Sequence, residues 1–237
     1  MRPRRPPWRG YLLLSRVSNL PTVWSNVLAG CVLVAPIVPW PVFYRIATGV
    51  SLLYTSGMFL NDAFDYKSDM AARPDRPLPA GDVSVLAAFV AGFVLMAVGE
   101  IVIAAQGVTD APALWGLGLA AAIIYYNVRH KRDAFGPFVM GVCRGLVYCL
   151  AASAVAPALT PAVFVAAVVM TAYVLSLTFV AKKLGPKAGV VIPILIAGIS
   201  VVDAAVIAVA GGGLPLVLLA LVAGVLTLGL QRVVPGT

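Results

Sequence analysis

The sequence predicts an all-α protein, a transmembrane bundle of about eight helices, and three observations support this fold class. The chain has 237 residues, of which 61% are hydrophobic and only 11% are charged, whereas soluble domains carry roughly 25% charged residues. Its apolar residues form blocks of about 20, the length that an α-helix needs to cross a bilayer core. Basic residues fall in every second break between these blocks, as expected for a chain that crosses a membrane repeatedly.

Eight apolar blocks are long enough to be spans, and the breaks between them fix their approximate ends. The preceding residues 1–15 are predicted to be a basic cytosolic N-terminal tail, and residues 16–237 a single membrane domain. The predicted spans are residues 19–39, 42–62, 83–105, 111–128, 136–156, 161–181, 188–210 and 214–232.

The Lys and Arg residues predict the orientation. Fifteen of the 17 lie on one side of the predicted bundle, Arg45 lies on the other side, and Arg144 falls within the fifth span. The positive-inside rule makes the basic side cytosolic, so both termini are predicted to be cytosolic in a protein of the cell inner (plasma) membrane. The formal charge of +8 therefore indicates topology and contacts with membrane lipid, not nucleic-acid binding.

Carboxylates are concentrated at the predicted cytosolic end of span two. Four residues of helix turn only about 40° beyond one full turn, so Asn61, Asp65 and Asp69 share one helix face, with Asp62 beside them. Carboxylates this close repel one another near a low-dielectric core, and a divalent cation would remove that cost. Mg²⁺ is bound by a few carboxylates together with phosphate oxygens, so these four residues are the predicted metal ligands.

A solvated acidic loop is the alternative interpretation of this region, with its charge balanced by Lys67, Arg73 and Arg76. The four-residue register, the asparagine and the position at the membrane edge favour a functional site instead. Ionisable residues at membrane depth are usually functional, because they are costly to place there.

Three segments of the sequence resemble known motifs of one family, the UbiA-type intramembrane prenyltransferases. "NDAFDYKSD" is similar to the family's N-D-x-x-D-x-x-x-D motif, "RPDRPLPAGDVS" to its R-P-L-x-x-G-x-[IV]-S continuation, and "YYNVRHKR" to its Tyr-Ser-x-x-Leu-Lys segment. Two further stretches, "SRVSNLPTVWSNVLAG" and "MGVCRGLVY", resemble the EboC-type branch.

The resemblance implies a central cavity below a cytosolic cap, in which an isoprenyl diphosphate donor loses its diphosphate and an acceptor captures the carbocation. Mg²⁺ at Asp65 and Asp69 would stabilise the leaving group, and residues 66–82 would cap the cavity. Lys131 would contact the diphosphate, and Tyr126 would stabilise the cation with its ring face. Asp65, Asp69, Lys131 and Tyr126 are thus the predicted catalytic residues.

Further basic and polar residues are predicted to bind diphosphate or substrate. Arg73 and Arg76 either hold phosphate or pair with nearby carboxylates to order their loop, with phosphate favoured for Arg76. The polar residues of span one either bind a ligand or hydrogen-bond neighbouring helices, and Arg144 needs a partner within the membrane. The predicted set is Arg16, Asn19, Arg73, Arg76, Asn127, Lys131, Arg144, Lys182 and Lys183.

One departure from the family pattern concerns its second aspartate motif, near the end of the sixth helix. Residues 176–189 contain no carboxylate but hold Lys182, Lys183 and Lys187. Two metal sites of the usual kind cannot form without those ligands. We expect either that lysines replace part of the diphosphate neutralisation, or that they are positive-inside lysines beside a site of altered activity.

Three functions are compatible with these patterns. Prenyl transfer to an acceptor is the favoured function. The sequence does not determine the acceptor, the length of the donor or the oligomeric state. A membrane terpene cyclase would use the same ionisation with intramolecular capture. A non-catalytic or transport protein could retain the fold, although paired midplane carboxylates in two repeats, which transport would favour, are not found.

Overall fold

The structure, a computed structural model, describes residues 6–105, 110–130, 135–184 and 188–236. Throughout these ranges the chain is helical or in connecting turns, with no strand. The helices are α1 (Pro7–Ser15), a 3₁₀ turn (Val17–Asn19), α2 (Leu20–Val32), α3 (Trp40–Ala72), α4 (Val85–Ala104), α5 (Ala111–Arg129), α6 (Gly136–Val155), α7 (Pro161–Leu184), α8 (Ala188–Val209) and α9 (Leu214–Leu230).

The all-α prediction is confirmed, and each of the eight predicted spans overlaps one of the helices α2 to α9. In the described parts of the chain, five helices are long and apolar enough to cross a membrane, namely α4 to α8. The largest differences affect the first two spans. Helix α2 ends at Val32, seven residues before the predicted end, and α3 continues to Ala72, ten residues beyond it.

Prolines and one serine start most of these helices. A proline occupies the first or second position of α1, α2, α3, α5, α6 and α9, where its missing N–H costs nothing and its fixed φ is already helical. At α4 the Ser84 hydroxyl accepts a hydrogen bond from the backbone N–H of Ala87 at 3.1 Å, which satisfies one N–H that the helix leaves unpaired.

The helices pack as a ring in which α3 lies against α4 and α5, and α6 lies against α2, α5 and α7. Helix α8 contacts α2, α7 and α9. Small residues allow the close approaches: a Cβ on Gly30 would lie 2.7 Å from the Cβ of Ala151 in α6, and one on Gly145 would lie 2.8 Å from the Ala167 carbonyl in α7. Close packing at small residues is a common way for membrane helices to associate.

The predicted basic tail contains the short helix α1, which packs against α3. Leu14 is fully buried in a small apolar cluster with Phe59 of α3 and with Leu78 and Val83 of the loop that follows α3. This cluster holds the loop close to the C-terminal half of α3. The cytosolic side of the tail, and the role of the loop as a cap, stay predictions.

A buried polar cluster joins α2, α6 and α8. The Asp203 carboxylate accepts hydrogen bonds from the Tyr148 hydroxyl at 2.7 Å, from the Asn26 amide at 3.3 Å and from the Ser25 hydroxyl. Asp203 is completely buried. Asn26 therefore follows the second of its predicted alternatives, a hydrogen bond to a neighbouring helix.

Removing one donor from this cluster should destabilise the protein. Tyr148→Phe is expected to lower the free energy of unfolding by about 1.5–3 kcal/mol, because a buried carboxylate loses a hydrogen bond that water cannot replace. Thermal unfolding in detergent would measure the loss. Tyr44→Phe removes the same hydroxyl from an exposed side chain and should change the stability little, so equal effects of the two variants would contradict this role for the cluster.

Candidate active site

A cavity of about 710 Å³ opens within the helix ring. The lining residues of α3 follow one helical face from Val50 through Tyr54, Gly57 and Asn61 to Asp65. The two ends of the cavity differ in chemistry. Most of the charged side chains lie around the end of α3, and the side chains further in are mainly apolar, with Asn19, Tyr54 and Arg144 as polar exceptions. We call the end lined by Asp65, Asp69, Arg73 and Arg76 the mouth.

The predicted acidic stripe is present, since α3 stays helical through Asp69, but two of its carboxylates are paired with arginines. Asp62 lies 2.8 Å from the Arg16 guanidinium and 3.2 Å from that of Arg76. Arg76 also lies 2.7 Å from Asp69. Both carboxylates are buried, so these pairs offset the cost of placing charges away from water. Arg76 thus makes the loop-ordering pair that was one of its two predicted roles.

Arg16 reaches Asp62 from the break between α1 and the 3₁₀ turn. Its backbone is left-handed, at φ 45° and ψ 42°, a region that costs a non-glycine residue free energy. The turn changes the chain direction before α2 and places the guanidinium at the cavity, where it also donates to the Met58 sulfur at 3.3 Å.

Asp65 is linked to α5 through His130, a residue for which the sequence predicted no role. The His130 Nε2 lies 3.4 Å from the Asp65 carboxylate, and its ring stacks on Tyr126 with centroids 4.9 Å apart. All three residues line the cavity. His130 is the only histidine of the chain and replaces the leucine of the family segment, which is the signal that could have found it.

Two amides connect α3 and α5 beside the stripe. The Asn61 amide donates to the Asn127 carbonyl oxygen at 3.2 Å, and the Asn127 amide donates to the Gly57 backbone carbonyl at 3.2 Å. Both asparagines line the cavity. The structure therefore brings the N-D-x-x-D segment and the Tyr-Asn segment together, as the two motifs require.

Asn19 lies at a junction of three parts of the chain. Its amide donates to the Tyr54 hydroxyl at 2.9 Å and to the Gly236 carbonyl at 3.1 Å, and its own oxygen accepts from Gln231 at 2.7 Å. Asn19, Tyr54 and Gly236 line the cavity. The segment after α9 therefore forms part of the cavity wall, which no sequence pattern indicated.

Arg144 lines the cavity well below the mouth. Its guanidinium donates to the backbone carbonyl and the hydroxyl of Thr22 at 3.2 and 3.1 Å, and lies 5.8 Å from the Tyr54 ring centroid. Tyr54 precedes Asp62 by eight residues, which is about 12 Å of helix, and its side chain leans away from Asp62 because helical side chains point toward the N-terminus.

The predicted basic residues near the helix ends occupy different positions. Arg73 is exposed and lines the mouth. Lys182 and Lys183, in the last turn of α7, are exposed and do not belong to the described cavity lining, although Thr178 and Ala181 of the same helix do. Lys131 lies outside the described residues.

The carboxylates at the mouth suit a Mg²⁺ ion that is held partly by the protein and partly by a phosphate ligand. Across the described residues no three His, Cys, Asp or Glu side chains are grouped to hold a metal, so these residues alone do not enclose an ion. Asp65 and Asp69 nevertheless both line the mouth, and Mg²⁺ commonly takes one or two carboxylates and completes its shell with water and substrate phosphates. The residues fit an ion shared with a phosphate ligand.

A comparison with models of protein families shows to which family the chain belongs. The model of the UbiA prenyltransferase family matches residues 21–235. The chain belongs to this family. Together with the five long apolar helices, membership makes it an integral membrane protein.

Curated relatives of this UbiA-family chain include digeranylgeranylglyceryl phosphate synthases of archaea. The Sulfolobus acidocaldarius protein is 28% identical over 141 residues, which cover 58% of this chain and 50% of that protein. The Metallosphaera sedula protein is 35% identical over a match that covers 41% of this chain and 34% of that protein. The Methanoregula boonei protein is 32% identical over a match that covers 54% of this chain and 44% of that protein. The chain thus matches half or less of the length of these relatives.

A solved structure concerned with digeranylgeranylglyceryl phosphate synthase in membranes has the same fold. It superposes with a TM-score of 0.61 at 18% identity, covering 97% of this chain and 88% of that one. At this identity the likeness shows the UbiA fold alone. The assignment to the EboC-type branch stays a prediction.

Proposed function

We propose that this UbiA-family protein is a Mg²⁺-dependent membrane prenyltransferase that moves a prenyl group from an isoprenyl diphosphate to an acceptor. The observation that carries the proposal is the division of one cavity into a charged mouth and an apolar interior. A donor has the same division, an anionic head and a hydrocarbon tail, so a single binding mode satisfies both of its ends.

The diphosphate would bind at the mouth between Arg16, Arg73 and Arg76. Planar guanidinium groups suit phosphate oxygens, because their N–H groups match the oxygen spacing. Arg16 and Arg76 now pair with carboxylates, and a diphosphate would compete for the same N–H groups. Asp65 and Asp69 would hold Mg²⁺, which when bound supplies Lewis-acid stabilisation of the diphosphate leaving group.

In the transfer step the allylic C–O bond breaks and both electrons leave with the diphosphate. The acceptor then forms a new bond to the same carbon with its own electron pair, and its proton passes to the released diphosphate. Tyr126 would stabilise the developing carbocation with its ring face, and His130 would hold both Asp65 and the Tyr126 ring in place. The apolar interior excludes water, which would otherwise capture the cation.

The acceptor's polar group would bind on the wall formed by Asn19, Tyr54 and Arg144. These are polar cavity-lining groups below the acidic stripe, and few polar groups orient a ligand within a mainly apolar pocket. Asn127 would support the mouth through its bond to Asn61. This interpretation places Arg144 at the acceptor site, because its guanidinium lies beside the Tyr54 ring and Tyr54 precedes Asp62 by about 12 Å of helix.

The test of the function is diphosphate release from labelled prenyl diphosphates by the purified protein in lipid nanodiscs. We expect release with Mg²⁺ and its loss in EDTA, with recovery when Mg²⁺ is added back in excess. Release that persists in EDTA would contradict the metal requirement. A cyclic hydrocarbon formed without any acceptor would identify a terpene cyclase instead of a transferase.

The position of Arg144 leads to a second expected result. Arg144→Gln should change the Kd of a non-hydrolysable prenyl thiodiphosphate less than twofold, whereas Arg76→Gln should weaken binding at least tenfold. Equilibrium binding of the labelled analogue measures both. An equal loss in the two variants would return Arg144 to the diphosphate site.

A further inference from the structure

Arg144 presents unused hydrogen-bond donors to the cavity. An arginine side chain has five N–H groups and keeps its positive charge in proteins. One N–H of Arg144 donates to the Thr22 backbone carbonyl and a second donates to the Thr22 hydroxyl. Within the described part of the chain the other three N–H groups have no hydrogen-bonding partner. Because Arg144 lines the cavity, these charged donors are available to a ligand.

Tyr54 adds an uncharged donor beside this guanidinium. Its hydroxyl oxygen accepts a hydrogen bond from the Asn19 amide at 2.9 Å, so its own O–H is left to donate elsewhere. Asn19 is fully engaged, because its second N–H donates to the Gly236 carbonyl and its oxygen accepts from Gln231. Asn19 therefore orients Tyr54, and the donors that face a ligand are those of Tyr54 and Arg144.

Protein carboxylates do not occupy these donors. Among the described residues, no Asp or Glu lies within ion-pair distance of Arg144. Asp203 interacts electrostatically with Arg144, but it is completely buried and lies outside the described cavity lining. Its oxygens accept hydrogen bonds from Tyr148, Asn26 and Ser25. Asp203 thus stabilises the positive charge from within the protein and leaves the three N–H groups unoccupied.

This combination of charge and unoccupied donors favours an anionic ligand. A cation at membrane depth is costly unless it meets a partner or water. A carboxylate or phosphate accepts two guanidinium N–H groups at once, because its oxygen spacing matches theirs, and such charge-assisted bonds are about twice as strong as neutral ones. A hydroxyl or an amide oxygen would accept a hydrogen bond from Arg144 without balancing its charge.

We infer that the acceptor carries an anionic oxygen group, a carboxylate or a phosphate, which binds Arg144 and the Tyr54 hydroxyl. This inference rests on the proposed function and gives its acceptor a chemical class. The anionic group forms no covalent bond in the transfer step. It anchors the acceptor while a different atom of the same molecule attacks the prenyl carbon, so a neutral polyol would be held poorly.

Three fluorinated aromatic probes of similar size test the charge preference: para-fluorobenzoate, para-fluorophenyl phosphate and the neutral para-fluorobenzamide. Fluorine NMR would measure their Kd values for the full chain in nanodiscs of zwitterionic lipid. Mg²⁺ and a saturating prenyl thiodiphosphate keep the arginines of the mouth occupied. We expect at least one anion to bind at least tenfold more tightly than the amide, since a hydrogen bond to a charged group contributes about tenfold or more.

The outcomes of this titration are distinct. The anion that binds more tightly identifies the group, carboxylate or phosphate. Two anions that bind no more tightly than the amide, with the thiodiphosphate bound, would overturn the inference and leave the proposed function standing. Failure of the thiodiphosphate itself to bind would overturn the proposed function, and the inference with it.

Variants of the two donors test the residues. Arg144→Gln should weaken binding of the preferred anion at least tenfold and change the amide less than twofold, and Arg144→Lys should lie between because it keeps the charge without the planar fork. Tyr54→Phe should weaken the anion about threefold. It leaves the guanidinium in place, so it remains informative if Arg144→Gln unfolds.

Arg129→Gln, at the exposed end of α5, is the matched control. It removes one positive charge from a position outside the described cavity lining, so the anion's Kd should stay within twofold of the wild-type value. Anion binding that is unchanged in both Arg144→Gln and Tyr54→Phe, or that falls equally in the control, would overturn the assignment of these donors.

Discussion

Replacing Asp65 with asparagine is expected to lower kcat for prenyl transfer by about 100-fold or more. In the proposed mechanism this carboxylate, which lines the mouth of the cavity, would hold the Mg²⁺ that stabilises the departing diphosphate, and removing one preorganised electrostatic contact of this kind costs about 10²–10³ in rate. Asparagine keeps the size and the hydrogen-bonding capacity but not the charge. Steady-state transfer of a labelled prenyl group, at saturating donor and Mg²⁺, measures the effect.

Asp110 provides the matched control for this substitution. It is an exposed carboxylate immediately before α5, at the end of that helix remote from His130. Asp110→Asn should retain kcat within twofold. An Asp65→Asn variant as active as this control would remove the acidic stripe from the mechanism.

Arg76→Met is expected to damage both stability and donor binding. Arg76 is the shared partner of Asp62 and Asp69, and removing one member of a buried ion pair costs about 3–5 kcal/mol because a charge is left uncompensated. Arg16 still contacts Asp62, so we expect the lower end of that range. Thermal unfolding in detergent would report the loss of stability, and thiodiphosphate binding the loss of donor affinity.

Arg73→Met separates these two roles. Arg73 is exposed at the same mouth, where surface charges contribute at most about 1 kcal/mol to stability. This variant should therefore unfold close to the wild-type temperature while still binding the donor more weakly. Equal unfolding temperatures for the Arg73 and Arg76 variants would show that the carboxylate pairs do not stabilise the loop.

Features that depend on local periodicity could be predicted from the sequence. The spans followed from apolar blocks and charged breaks, and the common face of Asn61, Asp65 and Asp69 followed from helix geometry alone. The helix continues through this segment to Ala72, so the register holds over the whole motif. Boundaries were less certain, because the ends of α2 and α3 depend on packing against other helices as well as on composition.

Contacts between distant segments could not be predicted. His130 follows Asp65 by 65 residues, and Gly236 follows Asn19 by 217, so neither contact leaves a local pattern. The same is true of Asp203, whose partners Ser25 and Tyr148 lie in other helices. Only the assembled ring brings these side chains together.

The lysines of α7 show a different limit. Charge alone suggested Lys182 and Lys183 as substitutes for the missing aspartates, but charge does not determine which face of a helix meets a cavity. Both are exposed and outside the described lining, although Thr178 and Ala181 contribute to it. Their contact with diphosphate stays a prediction.

The hydrogen bond between the Asn19 amide and the Gly236 carbonyl bears on where the chain can be extended. Residues joined after position 237, whether a natural extension or an affinity tag, would begin within two residues of the cavity wall. A side chain at position 236 would also approach the Asn19 oxygen to 2.6 Å. An extension that displaces Gly236 would remove one hydrogen bond from the Asn19 amide.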